Sequence, residues 1–429
     1  MGSATRARRA TAPRSGGHPP ARRPRPSAVP RPHPRPGTLG PLRLQQVVLV
    51  EVAAALVLVG MAGGSVVLVP LAAVAAVLVV LAVVSRHRRP LPEWLGTVLA
   101  LRSRRRAAAA EPPPVGVDPG LAPAVECDPA LRTYTYIDRD HRSVGMVGDG
   151  TFLTVVLLVQ GRDAPLRPLR GQRPLPLEVL HDALEVDDIV LASVQVVQHT
   201  QPAPATHLPE QSVAARSYTP LQAQTGTPGL RLTWVALKLD PELCPEAVKA
   251  RGGGLGGVQR AVLRAADQLA SRLVAAGFTA TVLDEPELVS ALSTSACANP
   301  RASTHRGDQQ TSRRTVETSR TWRCDDRWHT TYWIGRWPQL PAGRSPDLVN
   351  LLTSVPTLAS TFSLIATRGT GHSPALTGYV RLTARSDTEL VTARRQLERH
   401  ANGVRVGLVR LDREQLPGLL ATLPLGGTR

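Results

Sequence analysis

Lysine is almost missing from this chain of 429 residues. Lys238 and Lys249 stand alone against 49 arginines. No G-x-x-x-x-G-K-[ST] loop can therefore be built, because its lysine must reach the nucleotide phosphates. Cysteine is scarce too. Cys127, Cys244, Cys297 and Cys324 lie far apart with no CxxC pair, which argues against a disulfide framework or a zinc site and fits isolated thiols in a reducing compartment. No G-x-S-x-G nucleophile motif occurs. Aromatic residues make up only 3% of the chain, and four of the six tryptophans (Trp322, Trp328, Trp333 and Trp337) fall within one short stretch. Acidic residues are absent from residues 1–43, which hold ten arginines.

What is present is positive charge, unevenly placed. The sequence pI is near 11.2, a value that suggests nucleic acid. Yet residues 1–106 carry +15 of the net +18, so the remaining 323 residues are nearly neutral. Residues 1–43 are Arg, Pro and Gly with few large apolar groups, and read as a disordered cytoplasmic arm. Nucleic acid is not an expected partner.

Val47 to Val84 is a 38-residue run with one charge, Glu51. As a single helix it would be about 57 Å long at 1.5 Å per residue, against a hydrocarbon core of roughly 30 Å. The expectation is a transmembrane hairpin over 44–85, with spans at 44–62 and 66–84 broken near Gly60, Gly63, Gly64 and Ser65. Both flanks are Arg-rich, which places both termini in the cytoplasm and the protein in the plasma membrane. The segment "LPEWLGTVLALRSRRR" at 91–106 then reads as an amphipathic helix with a basic end. Trp94 would sit at headgroup depth, with Arg102, Arg104, Arg105 and Arg106 on anionic lipid. Packing on a soluble neighbour is the alternative. Residues 86–130 comprise this helix and an Ala/Pro linker.

From 131 onward the order of elements recurs. A hairpin over 144–160 precedes a helix near 176–186, strands at 189–197 and 230–239, a helix at 258–276 and a strand at 278–283. A hairpin over 315–335, turning at Asp325-Asp326, precedes a helix at 347–354, strands at 359–367 and 376–384, a helix at 386–401 and a strand at 404–411. Ser386 and Glu389 have capping-box spacing. The fold class expected is α+β, membrane-anchored. Its cytoplasmic mixed α/β domain comprises a first half at 131–297, a loop at 298–312 and a second half at 313–429. The order allows two ferredoxin-like (ββαββαβ) halves. The alternative is one mixed sheet whose order only looks periodic.

Candidate chemistry is thin. In "RGGGLGG", at 251–257, Gly252, Gly254 and Gly257 fit G-x-G-x-x-G, and Arg251 with these glycines forms a weak anion-site candidate. The eleven residues "DPELCPEAVKA" separate them from the preceding strand, so the tight strand-to-helix turn of a dinucleotide site is missing. Asp187-Asp188 could imitate a metal-binding acidic pair, but a helix-terminating role is simpler. Cys324 and His329 lack two further metal ligands. His181 and Asp182 point in different directions on one helix. No catalytic residue, metal or cofactor is expected. Trp322, Trp328, Trp333 and Trp337 suit cross-strand packing or, more sharply, a partner-binding patch.

The combination of an apolar two-helix stretch, "PLPEWLGTVLALRSRRR", "VGMVGDGTFLTVVLLV", "LDPELCPEAVKARGGGLGGVQRAVLRAADQLASRLVAAG" and the Trp hairpin ending in "WP" resembles the EccE family of actinobacterial type VII (ESX) secretion. The resemblance covers roughly 40–429. It implies a structural, non-catalytic subunit of an inner-membrane complex. EccB-, EccC- and EccD-like membrane subunits would be its partners, with no small-molecule substrate. It also implies a soluble domain likened to a degenerate glycosyltransferase-like fold, which differs from the repeat read here. A membrane-anchored transferase acting on a nucleotide sugar, or a membrane-tethered binding module, is the competing reading.

Overall fold

The computed structural model describes residues 38–39, 42–62, 65–83, 85–86, 89–112, 114, 116–161, 174–202, 211–213, 216–217, 220, 229–304, 313–339, 345–369 and 374–427. The arm at 1–37, residues 203–210 and 221–228, and the part of the expected loop at 305–312 lie outside these.

Three helices come first: α1 (Leu44–Ala62), α2 (Ser65–Val83) and α3 (Leu91–Ala110). α1 packs along α2, with Ala53 and Ala75 buried. The expected transmembrane hairpin is corrected here. Each of α1 and α2 has 19 residues, about 28 Å at 1.5 Å per residue, which leaves no margin against a ~30 Å hydrocarbon core. α1 carries the exposed Glu51, and α2 carries Pro70 in its interior. Among the described residues no helix is long and apolar enough to cross a membrane. The two-span topology of the expected membrane anchor goes with it.

The rest is a mixed α/β domain on one antiparallel sheet. Its first strands are β1 (Arg132–Ile137), β2 (Ser143–Gly148), β3 (Leu153–Gly161), β4 (Ser193–Pro202), β5 (Gly229–Leu239) and β6 (Phe278–Val282). The second set is β7 (Thr315–Glu317), β8 (Trp322–Cys324), β9 (Arg327–Arg336), β10 (Ala359–Thr367), β11 (Ala375–Ala384) and β12 (Gly407–Arg410). The spatial order is β7-β8-β9-β11-β10-β4-β5-β3-β2-β1, with β6 also on β3 and β12 also on β9. The expectation of two separate halves is corrected to a single 12-stranded sheet. The physical reason is the edge. β4 and β10 would each end a half with unpaired backbone groups, and they satisfy one another instead, from Val194↔Ala366 to Thr200↔Ser360.

Helices α4 (Ala122–Cys127), α5 (Leu177–Asp182), α6 (Pro245–Ala250), α7 (Gly254–Ala275), α8 (Glu285–Ser295), α9 (Pro300–Thr304), α10 (Ser345–Thr353), α11 (Asp387–Gly403) and α12 (Gln415–Leu420) cover the sheet. α5, α6, α7, α10 and α11 lie on one face. There Val262, Leu269 and Leu273 of α7 meet Val155, Leu157, Val235 and Leu237. Leu390 and Leu397 of α11 meet Tyr332, Val380 and Leu382. Each buried leucine contributes about 2 kcal/mol. The opposite face takes α4, α8, α12 and the chain after them, through Val156, Val197, Trp234, Leu288, Leu419 and Leu423. A full capping box, Asp284 with Glu287, opens α8. At α11, Ser386 accepts from the Glu389 N–H, while the Glu389 carboxylate turns to the Arg385 N–H.

Candidate functional site

The glycine segment is the first place to test. Gly252, Gly253 and Gly254 all have positive φ, 93°, 66° and 55°, a backbone path that costs side-chain-bearing residues energy. They reverse the chain between α6 and α7. Gly257 lies against the other helix: a Cβ there would stand 2.5 Å from the Val248 carbonyl oxygen. Three of the backbone donors are spent within the reversal. Gly252 N–H donates to Lys249 O, Gly253 N–H to Val248 O and Gly257 N–H to Gly253 O. Arg251 is held by both oxygens of Asp188 at 2.7 and 2.8 Å, which raises the guanidinium pKa further and lowers that of the carboxyl. Arg260 donates to the Arg251 carbonyl. The group is a helix-turn-helix clasp whose cation already has its anion. The shallow depression beside it is lined by Tyr136, Ile137, Asp138, Arg139, Ala250, Arg251 and Arg260.

Asp187-Asp188 forms the turn of a small hairpin between Glu185–Val186 and Ile189–Val190. Asp187, with φ 55°, faces Arg264 at 3.3 Å. Asp182 pairs with Arg272. Cys324 leans on Asp325, and His329 packs against Trp322 with ring centroids 4.8 Å apart and the planes tilted by 55°. No group of three or more metal-ligating side chains occurs among the described residues.

The four tryptophans do not share a surface. Trp322 is fully buried beneath α12. Trp328 and Trp333 lie on opposite faces of β9, one packing toward Tyr332 and Val380 and the other toward Tyr379 and Leu411. Trp337, 37% exposed, rests on Gly378, where a Cβ would come within 2.5 Å of the indole. Only its end of the strand offers an open aromatic ring.

The most developed polar site joins α3 to the sheet. Arg104 is 7% exposed and meets Glu317 with two hydrogen bonds of 2.9 Å, while its Nη2 also donates to the Arg413 carbonyl at 2.6 Å. Arg105 Nε donates to the Glu317 carbonyl at 2.9 Å. Glu317 Oε1 additionally accepts from the Leu416 N–H. The Arg413 guanidinium lies 5.2 Å over the Trp94 ring. A buried carboxylate with a bidentate arginine and a further N–H has most of its lone pairs met, as a buried pair must. Of the five residues assigned to a lipid surface, Arg104 is thus turned inward, Arg105 is tethered by its Nε while its side chain stays exposed, and Trp94 is covered by Arg413. Arg102 and Arg106 remain exposed. They continue a stripe begun by Leu95 and Leu99, 42% and 61% exposed. Glu317 was invisible to sequence reasoning because nothing local marks a β-strand glutamate as the partner of an arginine 213 residues away.

A third polar site lies in the centre of the sheet, on the face under α8 and α12. Adjacent strands bring Thr331, Arg381, Thr361 and His199 into one row. Arg381 is wholly buried and donates to the Ser295 carbonyl at the end of α8 and to Thr361 Oγ1. Burial lowers its pKa to about 10. Burial, aided by Arg381, lowers His199 to about 3 and His329 well below its usual value. Both imidazoles are therefore neutral at physiological pH. Sequence reasoning did not single out His199 or Arg381.

Residues 227–334 match the family model described as EccE, a putative type VII ESX secretion system translocon. No curated protein sequence matches the chain. Among solved structures, an alkyldihydroxyacetonephosphate synthase aligns at 8% identity and TM-score 0.25, over 62% of this chain and 42% of that one. The chain thus spans less than half of that protein's length, and the likeness is too slight to bear on fold or activity.

Proposed function

We propose, from the match of residues 227–334 to the EccE family of putative ESX translocon components, that this chain is a non-catalytic structural subunit of the type VII secretion complex. The observation that carries this reading is the lock between α3 and the sheet. Arg104, Arg105, Glu317 and Arg413 tie the helical N-terminal region to the outermost strands, β7 and β8, and to the segment before α12. A buried charge pair with most of its hydrogen bonds met at such a joint fixes one geometry at some cost in stability, which suits a part that holds other parts in place.

The residues offered to chemistry support the same reading. The one glycine-rich segment is a clasp with a neutralised arginine, and its neighbouring aspartates face arginines. EccB-, EccC- and EccD-like subunits are the partners proposed, with Trp337 as an aromatic contact. Leu95, Leu99, Arg102 and Arg106 of α3 are proposed to meet anionic lipid at the plasma membrane, the apolar pair at acyl depth and the arginines on phosphates.

The test is extraction of the full-length protein from native membranes in mild detergent, with mass spectrometry of what co-purifies. Recovery in a large assembly with EccB-, EccC- and EccD-like chains is expected. A lone protein, with that assembly intact elsewhere in the same gradient, overturns the proposal.

A further inference from the structure

The row at the centre of the sheet is a cluster of donors with few acceptors. Arg381 Nη2 is occupied by Ser295 and Thr361, but Nε and Nη1 meet no acceptor among the described residues. No carboxylate pairs with this guanidinium among the described residues, although it is wholly buried and charged at neutral pH. His329, 1% exposed, stands two residues along the same face, paired in register with Thr383 on Arg381's own strand. One tautomer of the ring completes the chain of bonds around it. Cys297 Sγ–H donates to Thr383 Oγ1 at 3.7 Å, which leaves the threonine hydroxyl to donate to His329 Nδ1 at 3.0 Å. The neutral ring then carries its proton on Nε2, and that atom too lacks a partner among the described residues.

We propose that Arg381 and His329 form a buried binding site for a small monovalent anion of the halide class. An isolated buried cation is costly, and an anion compensates it where no carboxylate does. Three N–H donors from two side chains match the coordination of a monatomic anion. They would leave most lone pairs of a phosphate or sulfate unmet. The negative end of α8, at Ser295, steadies the guanidinium from one side without neutralising it. The site would stitch together β9 and β11 under the cover of α8.

The test uses the full-length protein in detergent. Thermal unfolding is followed in sodium chloride, sodium bromide and sodium gluconate at equal ionic strength, so that general screening cancels. Chloride and bromide should raise the melting temperature progressively and gluconate should not, as expected for a ligand bound only by the folded state. His329→Phe keeps a ring against Trp322 and removes the Nε2 donor. It should weaken the apparent chloride affinity by about tenfold, the value of one lost hydrogen bond to a charged group. Crystals grown in bromide provide a readout independent of stability: an anomalous peak within hydrogen-bond distance of Arg381 Nε or Nη1 and His329 Nε2. Identical melting in all three salts, a halide response unchanged in His329→Phe, or a water at that position in bromide-grown crystals would each overturn the proposal.

Discussion

The two faces of the sheet are built on different principles. Under α7 and α11 the contact is leucine, valine and alanine, with shape and volume deciding the fit. Under α8, α12 and the chain beyond them, much of the contact is hydrogen bonding. Gln195 binds Ser363, the Ala421 carbonyl and the N–H groups of Gly426 and Gly427. Gln415 binds the Thr331 N–H, Thr154 the Leu425 carbonyl, and Lys238 the Gly427 carbonyl while lying 4.0 Å over the Phe152 ring. The first face tolerates exchange of one hydrocarbon for another. The second accepts only one alignment of the covering chain, because a shift leaves buried donors and acceptors unmatched.

Five measurements sharpen this contrast. Glu317→Ala leaves Arg104 buried without its anion and should cost about 3 to 5 kcal/mol in chemical denaturation. Trypsin should then cut within residues 102–106 in the folded protein, and resistance equal to wild type would contradict the lock. Acid should attack the polar face selectively. His199 is held neutral, so its contribution is whole above its unfolded value near 6.5 and is lost as pH falls toward about 3. The unfolding free energy should drop by a few kcal/mol across that window, and His199→Gln should flatten the slope. Leu269→Ala on the apolar face should cost about 2 to 5 kcal/mol while leaving that pH slope unchanged. Gly257→Ala forces α6 from α7 and should cost about 1 to 3 kcal/mol, measured by the same denaturation. Arg251→Ala should leave the melting temperature within error, since Asp188 is solvent-exposed, and a nucleotide titration should be flat before and after.

The apolar face was the more legible one. The stripe from Val258 to Leu273 announced α7, although the helix begins earlier, at Gly254, because three glycines with positive φ can turn directly into it. Strands read at 230–239, 278–283, 359–367 and 376–384 stand at Gly229–Leu239, Phe278–Val282, Ala359–Thr367 and Ala375–Ala384. The strand read at 189–197 is displaced: Ile189–Val190 belongs to the Asp187-Asp188 hairpin, and β4 starts at Ser193. β1 was missed, since Arg132, Thr133 and Thr135 dilute its apolar pattern. The polar face could not be read locally. Tyr379, Arg381 and Thr383 alternate like the solvated side of a half-buried strand, and only distant chain covers them: the end of α8 and Cys297 over Arg381 and Thr383, and the return after Leu411 over Tyr379. The same holds for the arginines of α3, where four basic residues in five positions look uniformly solvated until Glu317 selects one of them.

The pairing of β4 with β10 has a consequence for synthesis. At 5–20 residues per second, a ribosome needs roughly ten to thirty seconds to make β10 after β4 has emerged. For that interval the nascent first half presents a long, hydrogen-bond-hungry strand edge, with a sheet face whose cover has not yet been translated. The chain is most vulnerable to sticking to its neighbours midway through translation, and slowing elongation between residues 202 and 359 should lower the yield of folded protein more than slowing it elsewhere.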